Sequence, residues 1–228
     1  MRRPLALLAL LLVAASFFLP QAASALLPAA LRAEGFAADP VTATVDAWPP
    51  QEVLLGRASR VTVTTGPIDY APITAGGLTV TIDDIDLLAR RTGGVQGTMS
   101  DVTVDGSALS DVSVAGPSVA DLTFRATVPQ ETLAAELRRA VGATVTVRAL
   151  LPPDTVEIAL GPLVARPTVD VAPGGRSLRL AAGGLPVTLS VLVLDAAAPV
   201  RLRRVSVVSG GLLVEGSVDA SALTLRPL

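Results

Sequence analysis

The sequence predicts a mainly β (α+β) protein in which a curved antiparallel meander sheet wraps one amphipathic helix. The first observation is a period-2 alternation of apolar and polar residues through most of the chain, which is typical of strands with one buried face. The second is a series of turn signals between these runs, such as Pro173-Gly174-Gly175 and Gly210-Gly211. The third is the lack of crossover helices, which parallel neighbouring strands would need.

The N-terminus has the organisation of a secretory signal peptide. Met1-Arg2-Arg3 is basic, an apolar run extends from Leu5 to Leu19, and Ala23-Ser24-Ala25 is an A-x-A cleavage signal after Pro20. The run is shorter than the roughly 20 apolar residues of a membrane-spanning helix. We therefore expect residues 1–25 to be removed after Ala25, leaving 26–228 as a single secreted domain in the periplasm or cell envelope. The alternative is an uncleaved N-terminal anchor.

The alternation places the strands after a short predicted helix between Leu26 and Ala38. Each predicted strand has its apolar residues two positions apart. In chain order these residues are Val41, Ala43 and Val45; Val61 and Val63; Leu78, Val80 and Ile82; Leu122, Phe124, Ala126 and Val128; Val145 and Val147; Val156, Ile158 and Leu160; Val169 and Val171; Leu178 and Leu180; Val187, Leu189, Val191 and Val193; Leu212, Val214 and Val218.

One helix is predicted within this series of strands. Pro129 stands in its first turn and Gly142 ends it, as the preferences of helix termini require. Leu133, Leu137 and Val141 share a face at a spacing of four residues, which indicates an amphipathic helix packed on a sheet.

The composition restricts the chemistry that the chain can perform. The sequence has no His and no Cys, and all 18 basic residues are Arg. These absences exclude a Ser-His-Asp triad, an ordinary zinc site, a thiol nucleophile and a Schiff-base lysine. A carboxylate pair of the glycosidase type is the remaining catalytic option. We expect no enzyme activity, no cofactor and no metal site.

The charge balance bears on the partner. Loss of Arg2 and Arg3 with the signal peptide leaves 16 arginines against 20 acidic residues. A nucleic-acid partner requires a basic surface, so none is expected. The densest basic cluster, Arg201, Arg203 and Arg204, is either a solvated strand face or a contact for anionic lipid head groups at a membrane surface.

Two further patterns have a structural and a functional interpretation. Asp83-Asp84-Ile85-Asp86 could offer oxygen ligands to calcium, but the apolar phase changes across it, which favours a β-bulge.

A ten-residue repeat begins at Ser100, Ser110 and Ala120. It fits either a small β-solenoid or three short strands of one meander, and we favour the meander.

The predicted elements leave apolar surface without a partner. One helix of about 13 residues presents only four or five core-facing side chains, which cannot cover a dozen strands. Either two sheets face each other as a sandwich, or one curved sheet surrounds an apolar ligand. The available side chains are aliphatic, and acyl chains suit such walls better than sugars do.

The order of motifs resembles that of secreted LmeA-like phospholipid-binding proteins. The resemblance extends over most of the predicted mature chain, and six separate segments carry it. They are Trp48-Pro49-Pro50-Gln51-Glu52-Val53-Leu54-Leu55-Gly56, Arg60-Val61-Thr62-Val63, Leu78-Thr79-Val80-Thr81-Ile82-Asp83-Asp84-Ile85, Val128-Pro129-Gln130-Glu131-Thr132-Leu133, Arg203-Arg204-Val205-Ser206-Val207 and Gly210-Gly211-Leu212-Leu213-Val214-Glu215-Gly216. The repeat at 100–124 departs from the family pattern.

The resemblance implies a sheet loosely like tubular lipid-binding modules, with a phospholipid or other acyl lipid in its groove and a non-catalytic role in the cell envelope. The family has no catalytic residues to map onto this chain. From the residues themselves we expect the strand carrying Phe124 and the helix after it to border one groove. The candidate lining residues are Val80, Ile82, Leu122, Phe124, Leu133, Leu137 and Val141. The alternative is an envelope-associated β-sandwich or scaffold domain that binds a protein and no lipid.

Overall fold

The computed structural model describes residues 19–29, 39–70, 73–104, 106–118, 121–141, 144–181, 188–194 and 200–218. Within them are 17 strands, helix α1, one 3-10 helix and a helical N-terminal segment at 19–29. As far as Val141, the elements are β1 (Val41–Asp46), the 3-10 helix (Pro50–Leu55), β2 (Arg57–Thr65), β3 (Ile68–Tyr70), β4 (Ile73–Ala75), β5 (Gly77–Asp86), β6 (Val95–Ser100), β7 (Val102–Val104), β8 (Ser107–Ser118), β9 (Asp121–Pro129) and α1 (Gln130–Val141). The remaining strands are β10 (Val145–Leu151), β11 (Thr155–Leu160), β12 (Leu163–Ala165), β13 (Thr168–Val171), β14 (Leu178–Ala181), β15 (Thr188–Val191), β16 (Val200–Val208) and β17 (Gly211–Val218).

The strands form two antiparallel sheets. The larger sheet has 11 strands, and its main order is β1-β2-β5-β6-β8-β9-β17-β16, with β7, β4 and β3 branching from the first half of β8. The smaller sheet has six strands in the order β10-β11-β13-β14-β15, with β12 beside β11. The chain leaves the large sheet after β9, builds α1 and the small sheet, and returns as β16 and β17.

The prediction of a mainly antiparallel β protein with one helix packed on a sheet is confirmed. The strands form two sheets and not the single meander that was predicted. After β9 the chain builds α1 and the small sheet, and it rejoins the large sheet where β17 pairs with β9. Helix α1 begins at Gln130, directly after Pro129, and its last residue is Val141, directly before the Gly142 that was predicted to end it.

The main core lies where α1 meets strands from both sheets. Leu133 and Leu137 of α1 are 1% and 0% exposed. They belong to one cluster with buried side chains of the large sheet (Val128, Leu202, Val207, Leu212, Val214) and of the small sheet (Val145, Val156, Val169, Leu178, Leu180). Burial of apolar area between these three layers is therefore the principal source of stability in this half of the molecule.

Polar contacts hold α1 in place over this core. The Ser107 hydroxyl donates to Glu136 Oε1 at 2.5 Å, and Arg139 donates to the same carboxylate. At the first turn, the Gln130 side chain donates to the carbonyl of Val147 at 2.9 Å. Ser107 is only 5% exposed, so its hydrogen bond meets the requirement that a buried hydroxyl have a partner.

The ten-residue repeat corresponds to strands of one meander. Its copies fall at the β6–β7 junction, inside β8 and at the start of β9, which are neighbouring antiparallel strands. Asp101 and Asp111 have left-handed backbone conformations, with φ of 49° and 51°. Asp tolerates this conformation better than most residues. The repeated Asp thus marks a bend, which lets β8 pair with β7 in its first half and with β6 in its second.

The N-terminal helical segment lies beside the edge strand β1. The Val45 amide donates to the Ser24 hydroxyl at 2.7 Å, and this hydroxyl donates to the Pro20 carbonyl. Only residues up to 29 of the helix predicted at 26–38 are helical within the described part, and 30–38 lie outside it. Residues 1–18, which carry most of the predicted signal peptide, also lie outside the described residues.

Candidate functional site

One face of the large sheet is apolar across its whole width. We call the residues that pair successively across its eight main strands the central row. They are Ala43, Val63, Val80, Gly97, Val114, Phe124, Gly216 and Leu202. Because side chains alternate along a strand, all members of the row point to the same side, which we call the apolar face.

The row next to it is apolar as well. Val45, Val61, Ile82 and Val95 pair in succession, and at the other end of the sheet Leu122 pairs with Val218. Two of the predicted lining residues, Val80 and Phe124, therefore share the central row. Two others, Ile82 and Leu122, lie on the same face toward one end of the strands.

The opposite face carries small polar side chains and charges. Its central members pair in succession as Thr42, Thr64, Thr79, Thr98, Ser113, Arg125, Glu215 and Arg204. Threonine hydroxyls bond across strands, as between Thr62 and Thr81 at 3.2 Å. The division between the two faces means that a one-residue slip in register would expose the apolar set, so the register is strongly specified.

The apolar face is covered unequally. Helix α1 packs against β8, β9 and β17, at one end of the face. At the other end, the partners of β1, β2 and β5 within the described part of the chain are neighbouring strands, the 3-10 helix and, beside β1, the N-terminal segment at 19–29. The side chains of Val61, Val63, Val80 and Ile82 remain only partly buried. This end of the face is a half-open aliphatic surface.

Phe124 and Gly216 form the boundary between the two ends. Phe124 is partly buried and touches both hydrophobic clusters of the sheet. A Cβ on Gly216 would lie 2.3 Å from the Phe124 ring and 2.2 Å from the carbonyl oxygen of Arg201. The ring therefore occupies the space that any side chain at 216 would need, a cross-strand arrangement in which an aromatic residue covers a glycine.

The helix residues of the predicted groove have different environments. Leu133 and Leu137 are sealed within the main core and are unavailable to a ligand in this conformation. Val141 is 40% exposed at the last turn of α1. The helix thus closes one end of the apolar face instead of lining an open groove along its whole length. The apolar side chains Leu133 and Leu137 were predicted as one stripe of the helix, and this stripe packs against both sheets.

The three arginines predicted as head-group contacts do not adjoin the apolar face. A bulge between Leu202 and Arg204 interrupts the pairing of β16 with β17 and brings Arg204 opposite Glu215. Arg201 pairs in register with Ser217 on the same polar side. Glu215 forms an ion pair with Arg125 of β9, with 2.6 Å between Arg125 Nη2 and Glu215 Oε1. Arg201 and Arg204 therefore lie on the opposite side of the sheet from Val80 and Phe124, and this geometry does not support a head-group contact by these two residues beside the groove. Arg203 lies in the bulge between them.

Arginines of β2 pair with the acidic run at the end of β5. Asp83 pairs with Arg60 at 2.8 Å, and Asp86 pairs with Arg57 at 3.0 Å. Asp84 has a left-handed backbone, with φ of 50°, which accounts for the phase change in the sequence by a kink. Pairing of β5 with β2 keeps its register across the kink, so the predicted bulge is absent from this pair of strands. No cluster of metal-ligating side chains is found among the described residues.

A groove of about 950 Å³ lies between the N-terminal segment and β1. Pro20, Ser24 and Ala25 line one side, and Ala43 and Val45 of the apolar face line the other. Removal of residues 1–25 would take away the Ser24 hydroxyl that accepts the Val45 amide proton, and it would open this edge of the apolar face.

Comparisons with known proteins found no match for the chain. Its sequence matches no family model, and neither the curated proteins nor the solved structures contain a significant match. Among the helices of the described residues, none combines the length and apolar character needed to cross a membrane.

Six members of the central row were missed as site residues in the sequence, namely Ala43, Val63, Gly97, Val114, Gly216 and Leu202. Val63 and Val114 each belong to an apolar alternation within their own strand, so the sequence indicated that each lies on an apolar face. What was missing was the register, which sets which residues of neighbouring strands lie side by side. For the two glycines only the pairing reveals that they lie in an apolar row.

Proposed function

We propose that the protein is a non-catalytic, extracytoplasmic lipid-binding protein of the cell envelope, which holds the acyl chains of a phospholipid or related lipid against its apolar face. The observation that carries this proposal is the unequal cover of that face. Eight strands present aliphatic side chains on one side, whereas α1 covers only the β8–β9–β17 end.

The chemistry of the open end suits an acyl chain. Its side chains are Val, Ile and Ala, which offer dispersion contacts and no hydrogen-bonding groups. An ordered polar ligand would need convergent donors or acceptors, whereas the hydroxyls of Thr62, Thr64, Thr79 and Thr81 point to the opposite face. The lack of His, Cys and Lys supports a binding role without turnover. The resemblance to LmeA-like proteins in the order of motifs is consistent with this proposal.

Secretion is part of the proposal and has its own test. The exported protein should begin at Leu26, since Ala23 and Ala25 satisfy the small-residue rule for cleavage. N-terminal sequencing of protein recovered outside the cytoplasm measures this. An intact Met1 on exported, membrane-bound protein would support the uncleaved anchor instead.

Lipid uptake by two matched variants tests the binding site. Val80→Asp places a charge in the central row, and Thr79→Asp places the same charge on the polar face of the same strand. We expect Val80→Asp to lose most uptake of dioleoyl phospholipid by the delipidated protein, because an unpaired carboxylate is costly beside acyl chains. Thr79→Asp should retain uptake close to that of the wild type.

A third variant separates loss of the site from loss of the fold. Val80→Thr changes the shape of the side chain little and should give a smaller loss of uptake, with a folded circular dichroism spectrum. Equal uptake by all three variants would place the lipid elsewhere. If the wild type takes up no lipid, the domain is better explained as a ligand-free interaction module.

A further inference from the structure

Large apolar side chains are unusually exposed at one end of the large sheet. Leu54 and Leu55 of the 3-10 helix are 72% and 49% exposed, and Leu87 and Leu88 in the turn after β5 are 69% and 77% exposed. Trp48, between β1 and the 3-10 helix, is 75% exposed. We call these five residues the tip. Single exposed leucines are ordinary, but four of them on two adjoining loops, with an exposed tryptophan where the chain enters the first loop, indicate an interaction site.

The two loops of the tip are held together. The Leu87 amide donates to the Gly56 carbonyl at 2.9 Å, and a Cβ on Gly56 would lie 3.2 Å from the Leu87 Cβ. Arg57 bridges the loops through Asp86 at 3.0 Å and Glu52 at 3.4 Å. The leucines are therefore presented as one preorganised protrusion.

The turn itself is stabilised by Asp86. Its carboxylate accepts the Ala89 amide proton at 2.9 Å. This backbone hydrogen bond, followed by the hydrogen bond and charge of Arg57, lowers the pKa of Asp86 below its ordinary value. The carboxylate is consequently charged at neutral pH, and the turn keeps its shape under the conditions in which a secreted protein works.

We propose that the tip inserts into the surface of a phospholipid bilayer and docks the protein there. Protruding aliphatic side chains beside a tryptophan are the combination that enters the head-group and acyl boundary. A protein partner would need a complementary surface, whereas a fluid bilayer accepts separate protruding side chains. Arg57, Arg90 and Arg91 are exposed around the tip, in position to meet phosphates.

The charges around the tip also predict how it binds. Glu52, Asp84 and Asp86 are interspersed among the same three arginines, so the surface is close to neutral. Insertion of apolar groups, and not attraction to anionic lipid, supplies the binding free energy. Binding should therefore occur on zwitterionic vesicles and change little with salt.

The tip is continuous with the apolar face. It lies where β1 and β5 end and β2 begins, and the Val61–Ile82 pair of the apolar face lies on the strands that lead to it. A docked tip would bring the open end of that face to the bilayer. Docking does not depend on the apolar face holding lipid, so this inference goes beyond the proposed function.

Flotation with dioleoyl phosphatidylcholine vesicles tests the docking. We expect the purified protein to float at both low and high salt. Leu54→Gln/Leu88→Gln should weaken partitioning at least tenfold. Leu163→Gln, at a leucine that is 70% exposed on β12, is the matched control and should partition like the wild type.

Trp48 gives a direct readout, because it is the only tryptophan of the chain. Vesicles should shift its emission to the blue, and lipids brominated on the upper acyl chain should quench it. No flotation, equal flotation of the tip variant and the Leu163→Gln control, or an unshifted Trp48 would each overturn the proposal. Loss of binding at high salt would overturn it in favour of docking through the arginines of the polar face.

The outcome is separable from that of the proposed function. Uptake of lipid presented in detergent requires the apolar face but not the tip, so Leu54→Gln/Leu88→Gln should still take it up. A protein that floats on vesicles but takes up no lipid supports the tip alone, and the reverse result supports the apolar face alone.

Discussion

Leu137→Ala should lower the free energy of unfolding by about 2–5 kcal/mol. Leu137 has no exposed surface and packs among side chains of α1, the large sheet and the small sheet. The substitution removes apolar contacts and leaves a cavity between three layers that cannot all relax together. Because Leu137 lies in a closed core, the loss of stability should be the same with and without lipid. Urea denaturation of the wild type and the variant, each with and without lipid, measures this loss.

Val141→Ala is the control for this experiment. It lies one turn later on the same helix and is 40% exposed, so its truncation should change the free energy of unfolding by about 0.5 kcal/mol or less. A loss for Leu137→Ala as small as that of the control would mean that α1 is not seated between the two sheets. A loss that lipid largely repairs would mean that this leucine contacts ligand.

Gly216→Ala is expected to be the second large perturbation, costing about 1–3 kcal/mol. The new methyl group would meet the Arg201 carbonyl at 2.2 Å and the Phe124 ring at 2.3 Å. One of these neighbours is backbone, fixed by the pairing of β16 with β17, so the strain cannot be relieved by a side-chain rotation alone. Thermal and urea unfolding measure the loss.

Gly97→Ala is the matched control in the same row of the sheet. Its Cβ would meet its nearest neighbours, the Thr79 carbonyl and a Val80 methyl group, at 3.4 Å. A glycine inside a strand is entropically unfavourable, so the free energy of unfolding should stay within about 1 kcal/mol of the wild type. If Gly216→Ala is tolerated equally well, the Phe124 ring does not lie over β17 as described.

The local elements could be predicted from the sequence because their signals are local. Alternation in runs such as Leu78–Ile82 and Leu122–Val128 requires one buried face, and only strands present it with that period. The proline and leucine spacing of α1 likewise depends on its own residues. The predicted strands and the predicted helix are present in the structure because tertiary contacts favour the same local conformations as the sequence does.

The arrangement of the elements depended on contacts between distant residues. Pairing of β17 with β9 joins segments about 90 residues apart and divides the strands into two sheets, as the Arg125–Glu215 contact shows. Nothing near Phe124 in the sequence indicates Gly216 as its neighbour. The bulge beside Arg204 was visible as a broken alternation, but its effect on the pairing with Glu215 depends on the partner strand.

Only part of the candidate site could be predicted, because the sequence indicates the apolar face of each strand but not the neighbours of that strand. Val80, Ile82, Leu122 and Phe124 share one face because each follows the alternation of its own strand. Leu133 and Leu137 were expected beside them, and connectivity does bring α1 near β9. The small sheet joins the large sheet in burying these leucines. The alternation within the strands of the small sheet did not indicate which surface those strands would cover.

Mass spectrometry of an organic extract of the purified exported protein tests the central claim most directly. If the apolar face holds acyl chains, the extract should contain phospholipid or another acyl lipid in near-stoichiometric amount. The same extraction from Val80→Asp should yield far less, and from Thr79→Asp a similar amount. An extract without lipid, from protein that also fails to gain thermal stability when lipid is added, would contradict the account, because a ligand that binds the folded state must stabilise it.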